Sequence, residues 1–399
     1  MSRQMYEPPV RYLASSPYGD IMADDVKCQT PMILRRSDVT DATNFGDRSK
    51  LTYGHYFEAI KGFISKDSYS LLVDTVSERL NKTITLSDID EILIRTEKHG
   101  AVYHTASIDV IVEETSTKFA VNVAISEEGK EWLRHEFSVL QELNSKFKLP
   151  YLPCTYFQGE VKYRSMKDMQ ESMLMFLGEW LEGYHEFHLS VDKRDSKQKI
   201  IVWDVDNGYK YISDEQSREI YKQASKILTL YYDTCDFRQI FPWHHAAGDF
   251  VVRTDNRDID VKLITTRQYE SVIVFLEDNS VNKYMALVYF LLDLSMRMRL
   301  DRFDGVGDIA WADDFCVDGT MEGFFEALRF KQRTGSYNLG TAEEFIDLLK
   351  CFTQDDLECM FNVLIDAYNK AAPEVPVMIR SLYRHTEKLY SVIQAFPSP

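Results

Sequence analysis

The stretch "FPWHHAAGDFVVRTDNRDIDVKLITTRQYE" spans residues 241–270 and reads as two β runs around a polar turn. Asp249 to Val252 and Val261 to Ile264 are the two runs, and the turn falls at Asn256. The spacing predicts an antiparallel hairpin with His244, His245 and Asp249 at its mouth. Asp249 admits two readings: a metal ligand, since a carboxylate suits a hard cation, or a loop residue that accepts backbone hydrogen bonds. On the second reading Asp249→Asn keeps an acceptor and costs little.

Before this stretch, "DEQSREIYKQASKILTLYYD" reads as a capped amphipathic helix. The segment "KQKIIVWDVDNGYKYIS" reads as a hairpin insertion near 198–213, with Asn207-Gly208 at its turn. Further upstream, "GAVYHTASIDVIVEE" and "TKFAVNVAIS" alternate with period two. An amphipathic helix follows in "SEEGKEWLRHEFSVLQELNSKF", with Trp132, Phe137, Leu140 and Leu143 on one face, and then two strands, "TYFQGEVKY" and "SMLMFLGEWLEGYHEFHLS". Residues 54–96 read as a helical extension, "TLSDIDEIL" adding a further helical turn, and residues 1–53 read as an irregular arm. After about residue 281 the pattern is helical to the end of the chain. The expected fold class is α+β: a small antiparallel sheet with one helix over 97–178, and a mostly helical lobe over 179–399.

With 399 residues, the chain is long enough for two lobes. Its 63 acidic against 46 basic residues give a formal net charge of −17, which disfavours nucleic acid and anionic lipid as partners. Six scattered cysteines without a C-x-x-C pair suit reduced thiols, and no apolar run approaches the roughly 18 residues of a membrane span. A cytoplasmic location is the expectation.

From about residue 90 to about 360 the order of elements resembles the protein kinase-like fold, in the branch of aminoglycoside and choline phosphotransferases. That resemblance implies a bilobal chain with a nucleotide cleft. "KFAVNVAI" is similar to the strand that supplies the phosphate-binding lysine, with Asn122 at the lysine position. Glu136 falls where the family's helix offers that lysine a glutamate, and without the lysine it has no obvious partner. Backbone groups from Glu179 to Leu181 fall in the linker that meets an adenine. "PWHHAAGDFVV" resembles the catalytic loop, placing His244 at the catalytic aspartate and Asp249 at the metal-binding asparagine. "VKLIT" puts Thr265 at the second metal-binding aspartate.

Phosphoryl transfer depends on positioning and charge neutralisation, and losing one stabilising donor costs about 3 kcal/mol in the transition state. Three such losses leave little turnover. Lys98, beside Gly100, could reach in for the missing lysine, whereas Lys118 lies roughly 13 Å from Asn122 along the strand. Arg267 could meet an anion or form a surface ion pair. His185 and His188 are spaced like helical neighbours and suggest packing. The resemblance therefore implies a pseudokinase, a binding or scaffolding module for an unknown small molecule or protein. The alternative is an active ATP-dependent phosphotransferase on a small-molecule acceptor, with Asp249 holding Mg²⁺ and His244 orienting the acceptor. ATP and Mg²⁺ are implied only by that alternative.

Overall fold

The computed structural model describes residues 6–14, 21–23, 28–32, 51–99, 103–164, 170–204, 207–255, 258–271 and 282–397. The protein is α+β, with nine α-helices and several antiparallel sheets among the described residues. Two compact units divide it, Met1–Ser145 with Pro153–Leu181, and Lys146–Leu152 with Glu182–Pro399. No helix among the described residues is long and apolar enough to cross a membrane.

The first unit is built on seven strands: β1 (Val10–Ala14), β2 (Ile21–Met22), β3 (Glu91–His99), β4 (His104–Val112), β5 (Thr115–Ala124), β6 (Thr155–Arg164) and β7 (Gln170–Glu179). Their order in the sheet is β2-β1-β3-β4-β5-β7-β6. Alternation fixes the buried face: Ile92 and Ile94, Ala106 and Ile108, Phe119 and Val121 all point into one apolar core. Helices α1 (Tyr53–Ile64) and α2 (Ser70–Leu80) supply the rest of that core. Thr52 starts α1 through a capping box with His55, and Tyr56, Phe57, Ile60 and Phe63 then face inward at helical spacing. Helix α3 (Glu127–Phe147) meets β7 through Phe137, whose ring lies 5.6 Å from that of Phe176.

Three local expectations are corrected. Thr85 and Asp88 do form a capping box, but only a single 3-10 turn, Leu86–Asp88, follows. Period two then prevails, with Ile92 and Ile94 buried, and Glu91 opens β3 instead of extending a helix. The arm is not irregular throughout, because β1 pairs parallel to β3 from Val10↔Ile92 to Ala14↔Thr96. "SMLMFLGEWLEGYHEFHLS" is two strands: β7 ends at Glu179, Gly183 turns the chain at φ 74, and β8 (His185–Asp192) joins a different sheet.

That second sheet has the order β10-β9-β8-β12-β13, with β9 (Lys197–Asp204), β10 (Gly208–Tyr211), β12 (Phe250–Asp255) and β13 (Asp258–Leu263). The insertion hairpin forms as expected: Gly208 pairs with Asp204, whose carboxylate accepts from the Asn207 backbone N–H at 2.9 Å. The 241–270 hairpin also has the expected register, with Phe250↔Leu263 and Val252↔Val261, while its turn at Asn256 lies outside the described residues. Helix α4 (Asp214–Tyr231) packs on this sheet, and the unit's other helices, α5 (Lys283–Arg297), α6 (Phe315–Arg333), α7 (Ala342–Lys350), α8 (Gln354–Ala367) and α9 (Val375–Ala395), pack on α4 and on one another. Gly319 and Gly323 let α6 approach the backbone of α4, where an added Cβ would lie 2.5 Å from Arg218 O and 1.9 Å from Lys222 O.

Candidate functional site

Strand β11 (Arg238–Ile240) leads into the loop that carries the singled-out polar residues of the second unit. His244 precedes a 3-10 turn, His245–Ala247, which ends at Gly248 with φ 68. The positive φ favours glycine, and a Cβ there would stand 2.7 Å from the Glu186 carboxyl carbon, so that side chain would have to swing aside. Asp249 follows, buried at 1% exposure. Its Oδ2 accepts the His244 backbone N–H at 2.8 Å, and its own carbonyl accepts from Ile264 N–H at 2.8 Å to begin the β12–β13 ladder.

Both carboxylate oxygens of Asp249 are also engaged by Arg267, Nη1 to Oδ2 at 2.5 Å and Nη2 to Oδ1 at 2.6 Å. Arg267 Nη1 further donates to Pro242 O at 3.2 Å. The ion-pair reading of Arg267 is therefore the one realised, although its partner is buried rather than on the surface. The pairing also changes what Asp249→Asn would do, because the amide keeps the acceptor but removes the charge opposite a guanidinium. Thr265 lies between these two residues in sequence, is buried at 6% and has interactions of its own. No group of three or more His, Cys, Asp or Glu side chains among the described residues could hold a metal ion.

The two adjacent histidines differ. His245 is 2% exposed and sits among the rings of Phe187, Tyr221, Trp243 and Phe250, with both ring nitrogens lacking a hydrogen bond. Burial pushes its pKa down to about 4. Burial, and then the neighbouring Arg297 charge, also lower that of His244. Its neutral ring helps line a cavity of about 560 Å³ together with Phe241, Tyr289, Arg297 and Tyr368.

His185 and His188 are on β8 rather than on a helix, three residues apart, and so point to opposite faces. His188 is 1% exposed, 3.2 Å from Asp301 Oδ1 and 3.7 Å from Glu186 Oε2, against the Trp203 ring. Burial opposes its charge, but the hydrogen bonds to Asp301 and Glu186 prevail and hold its pKa at about 9.

In the first unit, Asn122 on β5 accepts from Thr105 Oγ1 at 3.0 Å across the β4–β5 pair. Lys118 ion-pairs with Glu97 at 3.4 Å and lies 4.1 Å from the Trp180 ring centre. Glu136 on α3 is 2% exposed and, contrary to expectation, does have a partner. The Lys98 backbone belongs to β3, just after an irregularity at Thr96, while its side chain and Gly100 lie outside the described residues. Glu179 closes β7, where its N–H donates to Cys154 O at 2.8 Å and its carboxylate meets Arg79 at 3.1 Å. Leu181, two residues on, is half-buried.

Sequence reasoning missed the Asp249 partner, although the hairpin register contained it: pairing Asp249 with Ile264 brings Arg267, three residues later, to the mouth of the hairpin. It also missed the cavity, whose residues come from segments over 100 positions apart. No protein-family model matches the chain, and no curated protein matches it.

Proposed function

We propose that the chain is a bilobal kinase-like pseudoenzyme, a binding or scaffolding module in which the catalytic positions have become structural ones. Two features support the kinase-like part. In the first unit the run β3, β4, β5, α3, β6, β7 is the order of the family's small lobe, with α3 between the strand carrying Asn122 and the next. The second unit has the β12–β13 hairpin immediately after the loop that matches the catalytic one, followed by helices.

The observation that carries the loss of activity is the Asp249–Arg267 pair. A metal ligand must offer a carboxylate oxygen to the cation, and both oxygens of Asp249 are held by an always-charged guanidinium. Recruiting Mg²⁺ there would place a dication beside that guanidinium, on a carboxylate that already accepts three hydrogen bonds. Asn122, at the lysine position, brings no positive charge to a phosphate.

Calorimetric titration with ATP and GTP, each with and without Mg²⁺, tests this reading. Negligible heat and no metal-dependent rise in melting temperature are expected at about 5 mM nucleotide, since stabilisation vanishes below Kd. Mg²⁺-dependent binding or nucleotide turnover that disappears in Asp249→Ala would overturn it.

A further inference from the structure

The cavity beside His244 belongs wholly to the second unit and contains an unusual polar group. Arg297, on the last turn of α5, is 8% exposed. Its guanidinium carbon lies 4.4 Å from the centre of the Phe241 ring and 4.7 Å from that of Tyr368. Nε donates to Asp293 Oδ1 at 3.4 Å and lies 3.2 Å from Oδ2, and the Tyr368 hydroxyl donates to the same carboxylate. Asp293 is thus consumed within the wall. Arg297 also donates to the Tyr368 hydroxyl oxygen, and its guanidinium lines the cavity.

A guanidinium carries five N–H donors, and Asp293 and Tyr368 do not use all of them, so Arg297 can take a further acceptor from the cavity. Its planar fork matches a carboxylate. The remaining walls are mostly apolar or aromatic, Tyr289, Phe290, Leu364 and Met378 among them, with Gln239 and Asn369 as polar members, and about 560 Å³ is the size of a small-molecule site. Helix α9 begins at the wall with Val375, adding a partial positive charge. Glu374 opposes an anion, but it is only half-buried and therefore better screened than Arg297.

We propose that this cavity binds a small monocarboxylate with an apolar or aromatic body, its carboxylate held by the Nη1 and Nη2 groups of Arg297. The inference uses none of the nucleotide positions, so a failure to bind ATP leaves it untouched, and its own failure leaves the kinase-like reading untouched.

The test compares 4-phenylbutyrate with 4-phenylbutanamide and 4-phenylbutylamine by calorimetry on the full chain. The carboxylate is expected to bind with a dissociation constant of about 1 mM or tighter, and the amide and amine at least about tenfold more weakly. Arg297→Lys keeps the charge but loses the fork, and should weaken the carboxylate about tenfold. Ala372→Phe fills a half-buried wall position without touching Arg297 and should also abolish binding, which covers the case in which Arg297→Lys fails to fold. Equal affinity for the three probes, tighter binding of the amine, or no carboxylate binding at about 5 mM would each overturn the proposal.

Discussion

Arg267 holds Asp249 from across the hairpin they flank, two nitrogens meeting two oxygens at 2.5 and 2.6 Å. The pair ties the loop before β12 to the segment after β13, and the His244 N–H adds a third hydrogen bond to the same carboxylate. We predict that Asp249→Ala destabilises the protein by about 3 kcal/mol, because it strands a partly buried guanidinium. Asp249→Asn should lose about half as much, keeping the acceptor but not the charge. Urea melts of both variants, in EDTA and in Mg²⁺, check this. A wild-type midpoint that rises with Mg²⁺, or an Asn variant more stable than wild type, would count against the structural role.

His245 supplies an acid-side pH dependence. Its folded pKa of about 4 lies below the ordinary 6.5, so the unfolded chain binds the proton more readily. Stability is therefore complete above pH 6.5, falls as pH drops towards 4, and loses about 3 kcal/mol in that window. His245→Phe, placed in a cage of four aromatic rings, should flatten this slope in melts taken between pH 4 and 7. An unchanged slope would show that other groups set it.

His188 works in the opposite direction. Its folded pKa of about 9 lies above the ordinary value, so its contribution is complete below pH 6.5 and is lost as pH rises through about 9. The loss amounts to about 3 kcal/mol. Asp301→Asn removes the nearer carboxylate, and the imidazole resonance followed by NMR should then titrate at a lower pH. A midpoint unmoved by that substitution would assign the shift elsewhere.

Gly323→Ala should cost about 3 kcal/mol, since its methyl would collide with Lys222 O on α4 and force α6 away. Gly335→Ala is the control: nothing lies within 4 Å of an added Cβ, and only the φ of +72 resists, at about 1 kcal/mol. Thermal melts should rank the two clearly, and equal costs would mean that α6 shifts without penalty.

Local periodicity made much of this structure legible. The Asp249–Ile264 register, the Asn207-Gly208 hairpin and the helices after residue 281 follow from side-chain alternation and turn chemistry, which act over a few residues. Where two local signals competed, the longer-range one won. The Thr85 cap begins a helix, yet Ile92 and Ile94 could reach the core only from a strand. His185 and His188 have helical spacing, but Gly183 and pairing with β12 place them on a sheet. The Arg297–Asp293–Tyr368 cluster was not legible, because Tyr368 is brought to α5 only by packing between distant helices. The contact at Gly323 was equally hidden, since a glycine within a helical pattern does not announce the backbone it touches.

Strand β1 has a consequence beyond its own five residues. It lies along the flank of β3, which runs for nine residues from Glu91 to His99. A chain cut back past Ala14 would present that flank as a row of free N–H and C=O groups, ready to accept a strand from another molecule. The opening segment therefore covers the Ile92 to Thr96 stretch of that flank. Trimming it should increase pairing between copies of the chain as concentration rises.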